Sequence, residues 1–307
     1  MRIGTRASAL ALAQAELVAE ALAGAVGASV GQAEIEIVPV LTSGDRGRRG
    51  GDKSRWVDAI EDALAREDID IAVHSAKDVP GELREGLALL AAPPRAAAED
   101  VLCGAASLEE LAAGARVGTS SVRRSAQLRA AREDLQVSSM RGNVDTRLRK
   151  LAAQGGARMD AIVLARAGLQ RLGREDALGA VLDPASFVPA PGQGVLALEG
   201  RRGDAQAERA AQAIGDEQTL TCLLAERALA RELDASCRTP LGAHALSDRG
   251  GRLHLRAWLG LPDGTAWLSD EAIGERDAPE ALGREVARRM TLAGAGELLR
   301  KAERTAG

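Results

Sequence analysis

Apolar residues recur at helical spacing over positions 8–23, where Leu10, Leu17, Val18 and Leu22 share one face. Ser8 stands where an N-cap belongs. In EIEIVPVL (34–41), Ile35 and Ile37 alternate with glutamates, the pattern of a half-buried strand. Residues 42–55 carry seven charges among glycines and read as a mobile loop. A helix follows over about 56–66. The strand DIDIAVHS (68–75) then runs into AKDVP, where Pro80 restricts its predecessor to extended geometry. PPRAAAED (93–100) reads as a linker.

A second alternation of strands and helices begins at ARVG (115–118), followed by a Thr-Ser-Ser loop and a helix over 122–132. LQVSS (135–139) is a strand, and RGNVDTRLRKLAAQG opens the next helix. DAIVLA (160–165) is a strand of the buried type, and FVPAPGQGVLALEG (187–200) begins as a loop and ends as a strand. Strands alternating with helices imply parallel sheets joined by crossovers. From about 217 the character changes. A helix (217–232) leads to the loop DASCRTPLG, strands at 252–259 and 265–269 flank a Pro262-Asp263-Gly264 turn, and a helix over 279–301 closes the chain. No repeat of fixed period is present.

Composition narrows the function. With 307 residues, 46% hydrophobic and 27% charged, the chain is long enough for two or three globular domains. Aromatics are 1%, with no Tyr and one Phe, so the core is built from Ala, Leu, Val and Ile. The scarcity of base-stacking side chains and a net charge of −4 argue against nucleic acid as partner. Three scattered cysteines and three histidines show neither a disulfide framework nor metal-ligand spacing. Gln14, Glu16 and Glu20 interrupt any signal-peptide core, and no run approaches a membrane span. These features imply a cytoplasmic protein.

Charge is unevenly placed. Residues 116–150 hold eight Arg and one Lys against three acids. The outward-facing Arg are a solvated face. Arg123 and Arg124, however, follow Thr119-Ser120-Ser121 where a strand gives way to a helix, and backbone N–H groups, hydroxyls and the helix dipole favour an anion there. Arg141 and Arg147 stand at the next such junction, beside Gly142 and Asn143. Ligands of open α/β sheets bind at these strand ends. Two Arg-bearing junctions therefore imply a ligand with several carboxylates or phosphates, which the planar guanidinium suits. His74-Ser75-Ala76-Lys77-Asp78 ends another strand. It is either a surface Lys–Asp pair of little consequence or a carboxylate positioned to stabilise a cation or move a proton. Cys237 lies in a loop beside Arg238. A lone Cys is more often buried than nucleophilic, although the neighbouring cation would favour its thiolate. Cys103 and Cys222 read as buried apolar residues.

TRASALALAQ, AVHSAKDVP, GTSSVRRSAQL, RGNVDTRLRKL, AGLQRLG, PAPGQGVLALE and LDASCRTPLGAHA, in this order and nearly end to end, resemble the signatures of the porphobilinogen deaminase (hydroxymethylbilane synthase) family. The resemblance implies an α/β fold: two domains like type II periplasmic binding proteins with an inter-domain cleft, plus a small C-terminal α+β domain. It implies a discontinuous first domain (1–95 and 195–215), an Arg-rich second (98–190) and a third (217–307) that carries the cofactor Cys.

It also implies a transferase of tetrapyrrole biosynthesis. Four porphobilinogens lose ammonia and join head to tail on a covalent dipyrromethane primer, and the linear product is released by hydrolysis. By position in the motifs, Cys237 is the thioether attachment site and Asp78 the catalytic aspartate. Arg6, Ser8, Lys77, Ser121, Arg123, Arg124, Arg141, Arg147 and Arg171 hold the acetate and propionate groups, with Arg123 and Arg124 nearest the cofactor. Lys53 belongs to a mobile active-site loop. There Ser54-Arg55-Trp56 replaces the family's Gly-Leu-Phe, and Trp56 becomes the candidate aromatic lid. The family expectation adds a monomer that uses no metal and passes its product to uroporphyrinogen-III synthase. Two other readings compete. A non-catalytic polycarboxylate binder leaves Asp78 and Cys237 without a role, and a nucleic-acid binder conflicts with the net acidity.

Overall fold

The computed structural model describes residues 1–26, 35–42, 57–153, 158–236 and 238–305. The chain divides into two compact units, 1–96 with 195–224 and 97–194 with 225–307.

The first unit opens with β1 (Arg2–Arg6), α1 (Ala9–Val26), β2 (Glu36–Val40), α2 (Asp58–Ala65), β3 (Ile71–Ser75) and β4 (Leu87–Ala91). The second holds β5 (Asp100–Cys103), β6 (Arg116–Gly118), α3 (Val122–Ala131), β7 (Gln136–Ser138), α4 (Val144–Ala152), β8 (Ala161–Ala165), α5 (Arg166–Arg171) and β9 (Ala180–Leu182). The chain then re-enters the first unit with β10 (Leu196–Arg201) and α6 (Ala205–Ala213). Helix α7 (Glu217–Glu232) leads to the meander β11 (Leu241–Ser247), β12 (Arg252–Gly260) and β13 (Trp267–Glu275), which α8 (Pro279–Leu292) and α9 (Ala295–Thr305) follow.

The two larger sheets share one plan. The first runs β2-β1-β3-β10-β4 and the second β7-β6-β8-β5-β9. In each, four strands run in one direction and one strand, β10 or β5, runs antiparallel to both of its neighbours. That intruding strand is in both cases the segment on which the chain crosses between units. This doubled, chain-crossing α/β plan with a separate C-terminal meander is the fold class that the sequence implies.

Strand alternation sorts the first core into two faces. Ile71, Val73, Leu196 and Leu198 pack with Ala15, Val18 and Leu22 of α1. On the other face, Ala72 packs with Ile60, Ala63 and Leu64 of α2. In the second unit, Val117, Ala161 and Val163 meet Leu128 of α3, while Ile162 and Leu164 meet Leu148 and Leu169. The meander buries Leu253, Leu255, Ala257 and Leu259 from β12.

Three expectations need correction. The supposed linker 93–100 ends in β5, because Asp100 is fully buried and begins the central antiparallel strand. The last helix is two helices, broken at Gly294, whose φ of 105° no side chain adopts easily. The strand placed at 265–269 extends over 267–275.

Gly283 marks a close approach of α8 to α7. A Cβ there would meet the Ala225 carbonyl oxygen and lie 2.8 Å from the Ala228 Cβ, so α8 seats on α7 only without a side chain. Gly24 in α1 has nothing within 4 Å of such an atom. Gly283→Ala is expected to lower unfolding free energy by about 1–3 kcal/mol through overpacking. Gly24→Ala is expected to raise it by about 0.5–1 kcal/mol through helix propensity. Denaturant melts of the two variants should move in opposite directions.

Candidate active site

In the first unit, β1 and β3 are parallel neighbours, so their carboxyl ends open side by side. β1 ends at Arg6, and Ser8 caps the following helix: its Oγ accepts the Ala11 amide at 3.4 Å and its carbonyl accepts that of Leu12 at 2.9 Å. β3 ends at Ser75 and passes into a single 3-10 turn, Ala76–Asp78, after which Val79 is extended ahead of Pro80. Gln14 of α1 fastens the two ends together through hydrogen bonds with the Ser75 hydroxyl at 3.0 and 3.1 Å. The result is a pocket of about 60 Å3 whose polar lining includes Arg6, Ser8, Gln14, Ser75 and Asp78. Three residues singled out from the sequence thus meet in one hollow. Lys77 stands in the same turn, half-buried.

In the second unit, Ser121 caps α3 by accepting the Arg124 amide at 3.4 Å, and the Ser120 hydroxyl donates to the Met140 carbonyl. Arg123 and Arg124 do not project into water. They turn inward and share Asp100, each at 2.7 Å, with side chains 4% and 7% exposed against 0% for the acid. Arg123 also donates to the Val188 carbonyl at 2.7 Å and lies over the Phe187 ring. Arg124 donates to the Val163 carbonyl at 3.1 Å. Gln193 completes the network, donating to Asp100 at 2.9 Å and to the Ala98 carbonyl at 2.7 Å. Burial alone would push the Asp100 carboxyl up. The two guanidinium groups and Gln193 outweigh it and bring the pKa down to about 2. Burial and the like charge of Arg124 lower the Arg123 pKa, against the pull of Asp100.

The other arginines are answered differently. Arg171, at the end of α5, donates to the Gly194 carbonyl at 2.7 Å, and burial alone brings its pKa down to about 10. Arg147, in α4 behind the Asn143 cap, donates to the Gly142 carbonyl at 2.8 Å, and burial followed by repulsion from Arg124 lowers its pKa. Among the described residues neither is ion-paired with a carboxylate. Arg141 is exposed at the mouth of the same junction. Partly desolvated guanidinium groups lacking an anion fit a group that brings carboxylates, as a dipyrromethane does. Cys103 and Cys222 are buried, and burial raises the Cys103 thiol to about 11, which makes it inert. Cys237, Lys53 and Trp56, and with them loop positions 43–56, lie outside the described residues.

Asp100, Gln193 and Gln14 were not visible as site residues in the sequence. Asp100 heads a four-residue buried strand, too short for a period to register. The signal available for it was an acid placed directly before the apolar run Val-Leu-Cys.

A family model described as porphobilinogen deaminase, dipyromethane cofactor binding domain, matches residues 1–209, and its C-terminal-domain counterpart matches 220–291. A porphobilinogen deaminase of Thermus thermophilus is 44% identical over 299 residues, covering 97% of both chains. That of Deinococcus radiodurans is 43% identical at the same coverage, and that of Nitrobacter hamburgensis is 44% identical over 94% of this chain and 92% of its own. Among solved structures, a YaeC-family lipoprotein from Enterococcus faecalis is similar at 12% identity and a TM-score of 0.41, covering 71% of this chain and 92% of that one. No helix among the described residues is long and apolar enough to cross a membrane.

The Asp100 network yields a prediction with a definite sign. The folded pKa lies below the ordinary 3.8, so its contribution is complete above about pH 4 and is lost as pH falls through about 2. A shift of this size corresponds to about 2 kcal/mol. Asp100→Asn leaves two buried guanidinium groups without an anion and is expected to cost about 3–5 kcal/mol. Urea melts between pH 2 and 7 should show that cost at neutral pH and a shallower decline for the variant between pH 4 and 2.

Proposed function

The chain belongs to the porphobilinogen deaminase family, and from that premise we propose how its own side chains carry the family reaction. It is a transferase that condenses four porphobilinogens head to tail, with loss of ammonia, into a linear tetrapyrrole. The observation that carries the assignment of roles is the pair Arg147 and Arg171, held partly out of water with no carboxylate paired to them among the described residues.

Each porphobilinogen brings an acetate and a propionate. Arg147 and Arg171 take such carboxylates in bidentate fashion, and an incoming anion replaces the water that burial has removed. Arg141 extends the same set outward. Arg123 and Arg124 act as a fixed charge: two guanidinium groups sharing Asp100 leave one net positive charge behind the α3 cap. Ser121, with its oxygen occupied by the Arg124 amide, retains its hydroxyl proton for a ligand carboxylate. Ser8 has the same freedom in the first unit, beside Arg6, and Lys77 adds an ammonium to that group.

Asp78 is the catalytic residue. Loss of ammonia from the substrate aminomethyl group leaves a cation delocalised onto the pyrrole nitrogen. A carboxylate fixed by the Ala76–Asp78 turn stabilises that charge without reorganising. It also accepts the proton released when the new carbon–carbon bond restores the aromatic ring. The dipyrromethane, when bound, supplies the nucleophilic pyrrole carbon. Cys237 is its attachment point, and Lys53 and Trp56 cover the reacting cation against water. The reading extends to a cytoplasmic monomer that hands its product to uroporphyrinogen-III synthase.

Intact mass and turnover test this reading. Wild type should carry an adduct of two porphobilinogens less two ammonias, and Cys237→Ser should lack it even after incubation with substrate. Asp78→Ala is expected to keep the adduct and lose about 10²–10⁴-fold in ammonia release. Undiminished turnover in Asp78→Ala would sink the assigned mechanism. An unmodified wild type after incubation would leave a polycarboxylate-binding module.

A further inference from the structure

Glu226 of α7 is a wholly buried acid that the mechanism above does not use. Its two carboxyl oxygens accept backbone amides from separate segments: Oε2 that of Gly192 at 2.6 Å and Oε1 that of Ala245 at 2.7 Å. Gly192 belongs to a tight turn, Ala190-Pro191-Gly192-Gln193, closed by the Gln193 amide donating to the Ala190 carbonyl at 2.9 Å. Proline at the second position and a φ of 73° at the third mark a type II turn. The amide of the third residue takes no part in the closing bond of such a turn, and here Glu226 accepts it. The turn leads straight into the arginine site. Gln193 donates to Asp100 at 2.9 Å, and the Gly194 carbonyl accepts Arg171 at 2.7 Å. Ala245 lies in β11, an edge strand of the meander, where Ala243, two residues earlier, donates to the Pro189 carbonyl at 2.9 Å. Glu226 thus binds both the turn and the strand edge that runs beside it.

We propose that Glu226 is a positioning residue for the Arg171 carboxylate site: it holds the 190–193 turn in the form that offers the Gly194 carbonyl to Arg171 and the Gln193 amide to Asp100. A guanidinium binds a carboxylate well only when its planar fork points the right way. The Gly194 carbonyl fixes one arm of that fork, and the direction of the carbonyl follows from the turn just before it. Type I and type II turns differ by a flip of the central peptide. With Glu226 in place, that flip would turn the Gly192 N–H away from a buried acceptor and leave the acceptor short of a donor, which is costly. Without Glu226, glycine accepts either form. The Ala245 amide adds a second restraint. Cys237 falls between α7 and β11 in the chain, so one side chain references the arginine site to the stem of the attachment segment. Glu226 acts through the turn and not on the ligand. The inference rests on the roles given to Arg171 and Cys237 above.

The test is steady-state ammonia release by the holoenzyme and by Glu226→Gln, Arg171→Lys and the double variant. Glutamine keeps the shape but turns an NH2 group toward one of the two amides. Glu226→Gln is expected to raise KM for porphobilinogen about three- to tenfold, with kcat changed less than about twofold. Arg171→Lys raises KM on its own. The further rise in the double variant should be smaller than that of Glu226→Gln alone, because both act through one guanidinium. A merely structural acid would lower the melting temperature and the active fraction, leave KM in place and act independently of Arg171→Lys. An unmoved KM or independent effects overturn the proposal. A second readout needs no turnover. Apoprotein made without a porphobilinogen supply and then given it should gain the two-pyrrole adduct about three- to tenfold more slowly in Glu226→Gln than in wild type. Equal rates would refute the proposal. If Glu226→Gln fails to fold, Gly192→Ala decides. A side chain at a φ of 73° strains the same turn, and the variant must show the same KM rise and the same coupling to Arg171→Lys. A wild type that gains no adduct or releases no ammonia overturns the proposed function instead.

Discussion

Asp100 reaches no water, and two guanidinium groups approach it at 2.7 Å each. One carboxylate between two arginines is not a neutral arrangement. It fixes the Arg side chains in place, binds them further to the Val188 and Val163 carbonyls, and leaves one positive charge that no other carboxylate among the described residues pairs with. The geometry of the second unit follows from this. β5 must run antiparallel between β8 and β9 to deliver the acid beneath α3, and α3 must begin where Ser121 can cap it. The Gly-Gln-Gly loop must come close enough for Gln193 to take a remaining Asp100 position. A surface ion pair is worth about 0–1 kcal/mol and constrains little. A buried one is costly to break, so it holds the segments that bear its members.

The same economy governs both units. The strands β1, β6 and β7 are each followed by a residue that caps a helix with its side chain, Ser8, Ser121 or Asn143, and each cap lies near an arginine. A capping hydroxyl gives up its acceptor to the backbone and retains its proton, so capping and anion binding are compatible uses of one group. Because sheet order repeats between the units, the repetition of this device is a consequence of topology rather than a coincidence of composition.

Much of this was legible in the residues. Helix α7 coincides with the predicted 217–232, and the junctions carrying Arg123, Arg141 and Asp78 fall where the alternation of strand and helix put them. These features are local: cap, period and proline each act within a few residues. The failures were non-local. Asp100 looked like linker because its burial is created by residues 23 and 24 positions later in the chain. Strand β10, read correctly as a strand, gave no hint that Glu199 meets His74 across 125 positions, since that contact depends on register and not on pattern. The inward turn of Arg123 and Arg124 was also invisible. A guanidinium is expected outside until an anion is found inside.

Asp100 and Glu199 show how differently one fold can treat a buried carboxylate. Asp100 is over-neutralised by two guanidinium groups, and so it stays an anion until the pH falls to about 2. Glu199 has a single imidazole beside it, at 2.9 Å and equally removed from water. Arg offers five donors in a fixed fork, whereas His74 offers one contact. The first unit uses the weaker partner, on the α2 face of its sheet, and the second uses the stronger one, beneath the α3 cap. The acid that ties a helix and a loop to its strand is the one given two arginines, whereas the acid facing a neighbouring strand has one imidazole.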